Sequence, residues 1–460
     1  MREYEMIIDE ELRNGLSPFR TTPFNSRVLQ ECLGFRLADS GLESYELKTN
    51  PLSSIEIPYS WPFPQVLVGE RYKILVVRDS LTNHEDVLYE ISDDMQTLTH
   101  IASLPELLYG KGPLMEMADF GEYVIITNGK VMVYKDPSTN GWKEITSGST
   151  IPMMKTICNF KGQAVGGNVT SSWYGCDEKF YVWSKIGDID FTPDEYNLAG
   201  FRRDPFGGEV YHVRRLGDRV IGYSSRGITL INPVSSPTPT FGFEEMLDIG
   251  LKNVGAVGGS IDTQVFVGED NIVRRITNKG VEELGYEHYM KQLDNIIVQY
   301  DPKNKDFYIG DKDKTFLLTR KGMTEIPQHP SAVWRANGST YIIPDTVDEY
   351  YQTIVTQPFD MGYGGQKTIF EIETDLAPTS YPEVAVDYYN KLSTNGTTSY
   401  IPLNNQNLCS IIASGNAFAV RIRTEPVYED TRIGYIKVRY KMTDLRGIRG
   451  IYAPPIRGQR

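Results

Sequence analysis

Asp119-Phe120-Gly121-Glu122-Tyr123-Val124-Ile125-Ile126 runs through Asn128-Gly129 into Val131-Met132-Val133-Tyr134. Aromatic and β-branched residues crowd both arms, and Asn-Gly between two such runs signals a two-residue β-hairpin turn. The unit recurs. Asn159-Phe160-Lys161-Gly162-Gln163-Ala164-Val165 repeats its first half, and Phe180-Tyr181-Val182-Trp183 supplies a later strand. Arg215 to Gly222 pairs with Gly227 to Ile231, and Gln264 to Val267 with Ile272 to Ile276. Asp306 to Ile309 pairs with Thr315 to Leu318, Ala336 to Ile343 forms the last copy, and Tyr72 to Val77 with Asp86 to Ile91 forms an earlier one.

Anchoring the copies at Gly121, Gly162, Gly217, Gly259, Lys303 and Gly338 gives intervals of 41, 55, 42, 44 and 35 residues. A period of about 40–50 residues with about four short strands per unit is what a β-propeller blade requires. A β-sandwich also has short strands, but not at this spacing over so long a stretch. The expected fold is all-β: a β-propeller of about six to eight blades over residues 61–357. No WD or kelch signature marks the copies.

Composition agrees. The chain has 460 residues, 40% hydrophobic and 23% charged, with 29 Tyr, 41 Gly and 26 Pro. Tyr favours strands and wet interfaces, while Gly and Pro punctuate turns. Mean hydropathy is -0.35, as for an ordinary soluble globular protein, and no apolar run reaches the roughly 18–20 residues of a membrane span, so no membrane insertion is expected. Met1-Arg2-Glu3-Tyr4-Glu5 is acidic with no apolar stretch, so no signal peptide is expected. Cys32, Cys158, Cys176 and Cys409 are scattered without a CxxC, which fits reduced thiols.

Outside the repeats the texture changes. Residues 1–60 show no sustained period and scattered Pro, and read as an extended arm that gains order by lying on this chain or a neighbour. Val281 to Leu293 places apolar residues near helical spacing and predicts a short inserted helix. After the link Gly362-Tyr363-Gly364-Gly365, longer alternating strands at Thr368–Thr374, Glu383–Tyr389, Ala417–Thr424 and Arg432–Lys441 predict an antiparallel, sandwich-like domain over 358–445. Residues 446–460 read as a basic extended tail.

The net charge of -13 argues against a general nucleic-acid binder. Yet residues 431–460 hold eight Lys/Arg against one acid, Asp444. Within that segment Arg446, Arg449, Arg457 and Arg460 are candidate contacts to an acidic partner subunit or to nucleic acid, a solvated terminus being the alternative.

No catalytic, cofactor or metal constellation emerges, and no cofactor is expected. His84, His100, His212, His288 and His329 share no metal-ligand spacing and read as surface or interface residues. There is no GxSxG elbow, no Walker loop and no GxGxxG opening a helix. Asp188, Asp190, Asp194 and Glu195 would suit a two-carboxylate glycosidase, but an acidic loop is the preferred reading. Asp93-Asp94 and Asp311 with Asp313 complete no EF-hand pattern.

The passage Tyr181-Val182-Trp183-Ser184-Lys185-Ile186-Gly187-Asp188, through Ala199-Gly200 to Val213-Arg214-Arg215-Leu216-Gly217-Asp218-Arg219-Val220-Ile221-Gly222-Tyr223, resembles β-propeller tail proteins of tailed bacteriophages. Gly255-Ala256-Val257-Gly258, the Asp270-Asn271 turn, the insertion at Val281–Leu293 and Gly365-Gln366-Lys367-Thr368-Ile369-Phe370-Glu371-Ile372-Glu373 follow in the same order. Over about residues 150–440 the chain is similar to the tail hub, or nozzle (head-to-tail stabilisation), proteins of short-tailed phages. The resemblance implies a structural protein with no active site, made in the host cytoplasm and built into the virion tail as a homohexameric ring. Its partners would be the portal and adaptor, the tail needle, spikes or fibres, and DNA passing through the lumen without specific binding. An acidic lumen repels phosphate, which suits sliding DNA. The competing expectations are a carbohydrate-acting propeller, either glycosidase or depolymerase, and a cellular propeller scaffold that binds peptides.

Overall fold

Strand follows strand in the computed structural model, which describes residues 3–20, 25–48, 52, 64–69, 71–79, 85–95, 97–105, 114–120, 122–145, 150–194, 198–235, 240–336, 339–344, 349–391, 395–426 and 431–443. The protein is all-β, built from many small antiparallel sheets. It divides into two units, one of residues 48–313 with 329–345, the other of 1–47 with 314–328 and 346–460.

The larger unit lays down five four-stranded meanders in sequence order. Sheet 1 is Gln65–Val68, Lys73–Asp79, Glu85–Ile91 and Leu98–Pro105, and sheet 2 is Glu116–Phe120, Tyr123–Thr127, Met132–Asp136 and Gly141–Glu144. Sheet 3 is Met154–Phe160, Gln163–Val169, Phe180–Trp183 and Gly200–Arg203, and sheet 4 is Val210–Leu216, Arg219–Ser224, Ile228–Val234 and Thr240–Leu247. Sheet 5 is Val257–Gly259, Thr263–Val267, Val273–Thr277 and Gly280–Gly285. Two hairpins follow: pair 6, Ile297–Asp301 with Asp306–Gly310, and pair 7, Pro330–Ala336 with Ser339–Pro344.

Burial falls across each meander. Second strands such as Tyr123–Thr127 and Thr263–Val267 are buried on both faces, which suits the apolar runs Val124-Ile125-Ile126 and Val265-Phe266-Val267 within them. Fourth strands such as Gly141–Glu144 and Gly200–Arg203 are the most exposed of their sheets. The space between sheets is filled by facing side chains: Ile125, Met132, Ile157, Ala164 and Val182 between sheets 2 and 3, and Ile221, Tyr223, Val257, Phe266 and Ile276 between sheets 4 and 5. Gly222 lies against the Tyr181 ring, where any Cβ would collide with the phenol.

The turns follow local chemistry. Lys161-Gly162 joins its strands as a two-residue turn with both residues at positive φ, and Phe160 pairs with Gln163. The Asn128-Gly129 turn differs from the two-residue expectation, because Thr127 pairs with Met132 and residues 128–131 form the loop. Asn128 Oδ1 accepts from the backbone N–H groups of Lys130 and Val131, each at 3.0 Å, so the side chain closes a wider turn.

The first strands are mutual neighbours. Gln65–Val68 packs on Glu116–Phe120, which packs on Met154–Phe160, which packs on Val210–Leu216. Val257–Gly259 packs on Ile297–Asp301, that strand on Pro330–Ala336, and Pro330–Ala336 returns to Gln65–Val68. Sheets 4 and 5 are joined through Gln264, whose Nε2 donates to Arg215 O at 2.8 Å while its Oε1 accepts from the Tyr223 hydroxyl at 2.6 Å. The apolar seam where pair 7 meets sheet 1 holds Leu75, Val77, Ala332 and Trp334.

The helix expected over Val281–Leu293 is corrected. Residues Gly280–Gly285 form the fourth strand of sheet 5, and only Glu287–Met290 is helical. Cross-strand charge explains it: Glu283 and Glu282 face Arg274 and Arg275 in the register. Arg274, 1% exposed, is held by Glu283 at 2.7 Å and Asp270 at 2.6 Å.

In the smaller unit the N-terminal segment lies on strands of its own chain. Glu3–Ile8 pairs with Ile436–Met442, and the sheet continues through Lys367–Thr374 to Leu408–Gly415. Leu29–Leu33 pairs with Gln352–Thr356, which leads to Ala417–Thr424 and Glu383–Tyr389. Ion pairs accompany this weave. Lys441 meets Glu3 at 3.0 Å, Arg439 meets Glu5 at 2.9 Å and Glu373 at 2.8 Å, and Arg432 meets Glu43 at 3.2 Å. Lys437 meets Glu373 at 2.9 Å, so four of the segment's eight Lys/Arg pair with acids of their own chain. Arg446, Arg449, Arg457 and Arg460, with Asp444, lie outside the described residues.

The Gly362–Gly365 link is a cradle for a lysine. Lys367 is fully buried, and its ammonium donates to the carbonyls of Gly365 and Asn416, both at 2.8 Å, and to that of Tyr363. Burial pushes its pKa down to about 8.

Candidate functional site

The larger unit holds an open cavity of about 500 Å³ whose lining comes mainly from the first strands of all five sheets and both hairpins. At the start of the sheet 2 first strand, Leu114-Met115-Glu116-Met117 puts one carboxylate in an apolar run. Glu116 is 9% exposed and His212, near the start of the sheet 4 first strand, 1%.

These two side chains form the centre of a polar knot. Glu116 Oε1 accepts from His212 Nδ1, and Oε2 accepts from the Thr156 hydroxyl and from Ile157 N at 3.2 Å. Thr156 Oγ1 accepts in turn from Val213 N at 2.9 Å. His212 Nε2 faces the Val254 carbonyl, and Arg214 stands 3.6 Å from Glu116 Oε1. A carbonyl and a carboxylate can only accept, so the geometry calls for a proton on both ring nitrogens. Burial pushes the Glu116 carboxyl up, but the His212 charge and hydrogen bond, Arg214 and Thr156 together outweigh it and hold it below its ordinary value.

The knot therefore ties sheets 2, 3 and 4 and the segment leading into sheet 5. Neighbouring contacts extend it: Gln65 Oε1 accepts from Met115 N at 3.1 Å, joining sheets 1 and 2. Asn253 exchanges two hydrogen bonds with Ile296, at 2.9 and 3.1 Å, joining sheet 5 to pair 6, and Gln299 donates to Ser331 O at 3.1 Å, joining pairs 6 and 7.

The expectation that each histidine lies on a surface or interface fails for His212 and for His329, both buried. An ionisable residue inside an apolar strand, as in Val210-Tyr211-His212-Val213, was the available signal. His100 bonds Ser103 at 3.0 Å, His288 packs on Tyr289, His329 is buried, and His84 lies outside the described residues.

The acidic candidates do not converge on the cavity. Asp188 accepts from Ile189 N at 2.7 Å, and Asp190 pairs with Lys185 and caps Thr192 N at 2.9 Å. Asp194 is not among the cavity-lining residues, and Glu195 lies outside the described residues. Asp93 pairs with Lys73 at 2.7 Å, Asp94 accepts from Ser92 at 2.6 Å, and Asp311 caps Asp313 N at 2.9 Å. Among the described residues no group of three or more His, Cys, Asp or Glu is placed to hold a metal, and no helix is long and apolar enough to cross a membrane. The four cysteines are free. Burial pushes their thiols up, Cys176 and Cys409 to about 11, so they are poor nucleophiles.

No protein-family model matches this chain, and a search of the curated proteins returns no match.

Proposed function

We propose that the larger unit is a seven-bladed β-propeller, that the smaller is an antiparallel sandwich-like domain, and that the protein is a ring-forming hub or nozzle of a bacteriophage tail. In this role it joins the portal–adaptor region to the distal tail and forms part of the path of the ejected DNA. The observation that carries the structural reading is the commitment of the axial carboxylate. Among the described residues lining the cavity Glu116 is the one carboxylate, and both its oxygens are taken by neighbouring blades. A glycosidase there would need a second carboxylate about 5–9.5 Å away. The axis serves as a fastening. The tail assignment adds to this the ordered motif resemblance over about residues 150–440.

A propeller closed on itself presents only short strand edges and makes a stiff spacer, and a ring of copies uses heterologous contacts that close. Native mass decides between this and the enzyme reading. The purified chain is expected to run near six times 52.1 kDa, or to acquire that mass with its portal–adaptor partner. A persistent monomer that cleaves polysaccharide would contradict the proposal.

A further inference from the structure

We propose that the axial cavity is a binding site for a small, multiply charged oxyanion. The chain is acidic overall, with a net charge of -13, yet its cavity wall is basic. Arg214, Arg215 and Arg335 all line it, and the single carboxylate among the described lining residues is Glu116, whose oxygens are already engaged by His212, Thr156 and Ile157 N. The three guanidinium charges therefore face the cavity without a full complement of acids.

Each arginine retains hydrogen-bonding capacity. Arg214 Nε is buried with no hydrogen-bond partner among the described residues. Arg215 Nε donates to Gly217 O at 3.0 Å, which leaves its terminal amino groups. The Arg335 side chain is exposed and pairs with no carboxylate among the described residues. Trp334 Nε1, in the same wall, is likewise buried without a partner among the described residues, and a concave site with low-dielectric walls focuses the potential of like charges. The guanidinium fork matches carboxylate and phosphate oxygens in pairs. About 500 Å³ is the size of a metabolite site. A phosphate or polycarboxylate anion would relieve the repulsion among the arginines and accept from their accessible amino groups.

The inference goes beyond the tail reading and does not depend on it. It needs only the cavity, and it is measured on the isolated full-length chain whatever its assembly state. Titration calorimetry with inorganic phosphate and, separately, with citrate, in low-salt buffer free of other oxyanions, is expected to give one site per chain for at least one of the two. Which probe binds tells the phosphoryl source from the carboxylate source. Arg335→Gln, whose side chain is exposed and whose loss should leave the fold intact, is expected to weaken binding at least tenfold, and Arg214→Gln at least as much. Arg202→Gln, on an outer strand, is expected to bind as the parent does. Absence of heat with both probes, or an affinity unchanged by Arg335→Gln, would overturn the proposal.

Discussion

Replacing Glu116 by alanine is expected to lower the stability of the larger unit by about 3–5 kcal/mol, since removing one partner of a buried ion pair leaves the other charge uncompensated. His212 would keep its proton for the Val254 carbonyl but lose its counter-charge, and Thr156 and Ile157 N would lose an acceptor. The apparent melting midpoint is expected to fall by roughly 10 °C. The double substitution Glu116→Leu/His212→Leu is expected to recover much of this loss, because removing both charges together removes the desolvation cost as well. Thermal and urea unfolding of the single and double variants measures the coupling. If both changed stability by less than about 1 kcal/mol, the knot would not be the fastening described here.

The same pair sets an acid limit. The Glu116 carboxyl sits below its ordinary value in the folded protein, so its contribution is present above the unfolded carboxyl pKa and disappears as pH falls through the folded one. The stability gap between parent and Glu116→Ala is therefore expected to narrow on acidification from pH 7 towards the low carboxylate range.

Lys367→Met carries the second large effect, in the smaller unit. Methionine fills a similar volume but leaves the carbonyls of Tyr363, Gly365 and Asn416 without their donor. Orphaned buried acceptors of this kind are expected to cost about 2–5 kcal/mol in total. Hydrogen exchange should accelerate in Lys367–Thr374 and the adjoining strands, with sheets 1–5 unaffected. Titration gives an independent check. With the folded pKa near 8 and the unfolded value at the ordinary 10.5, the folded chain releases its proton first, so the parent's stability is expected to rise between those pH values. That rise should be absent in Lys367→Met.

Local chemistry was the readable part of this chain. Lys161-Gly162 and Gly217-Asp218 both make the two-residue turns that their flanking strands suggest, with Leu216 opposite Arg219 in the second. Short apolar runs such as Val124-Ile125-Ile126 and Val265-Phe266-Val267 announced the buried second strands. Pairing between distant segments was not readable. Glu3–Ile8 alternates only weakly, and its partner Ile436–Met442 lies at the other end of the chain, so nothing local marks Glu3 and Glu5 as counter-charges for Lys441 and Arg439. Val281 and Leu284 mimic helical spacing, but the cross-strand arginines that turn Glu282 and Glu283 into strand residues sit several positions upstream. The Glu116–His212 contact is hidden for the same reason: it joins residues of different sheets through Thr156 of a third. A lone histidine in an apolar strand gives no hint of where its partner lies.

One observation bears on the whole account: end-on electron micrographs of the purified full-length protein, or of the particle it joins. The expected class averages show a ring of repeating subunits around an open centre, each containing a disc of seven radial lobes. Isolated particles that never close into a ring, or discs whose lobes fail to close around an axis, would contradict it.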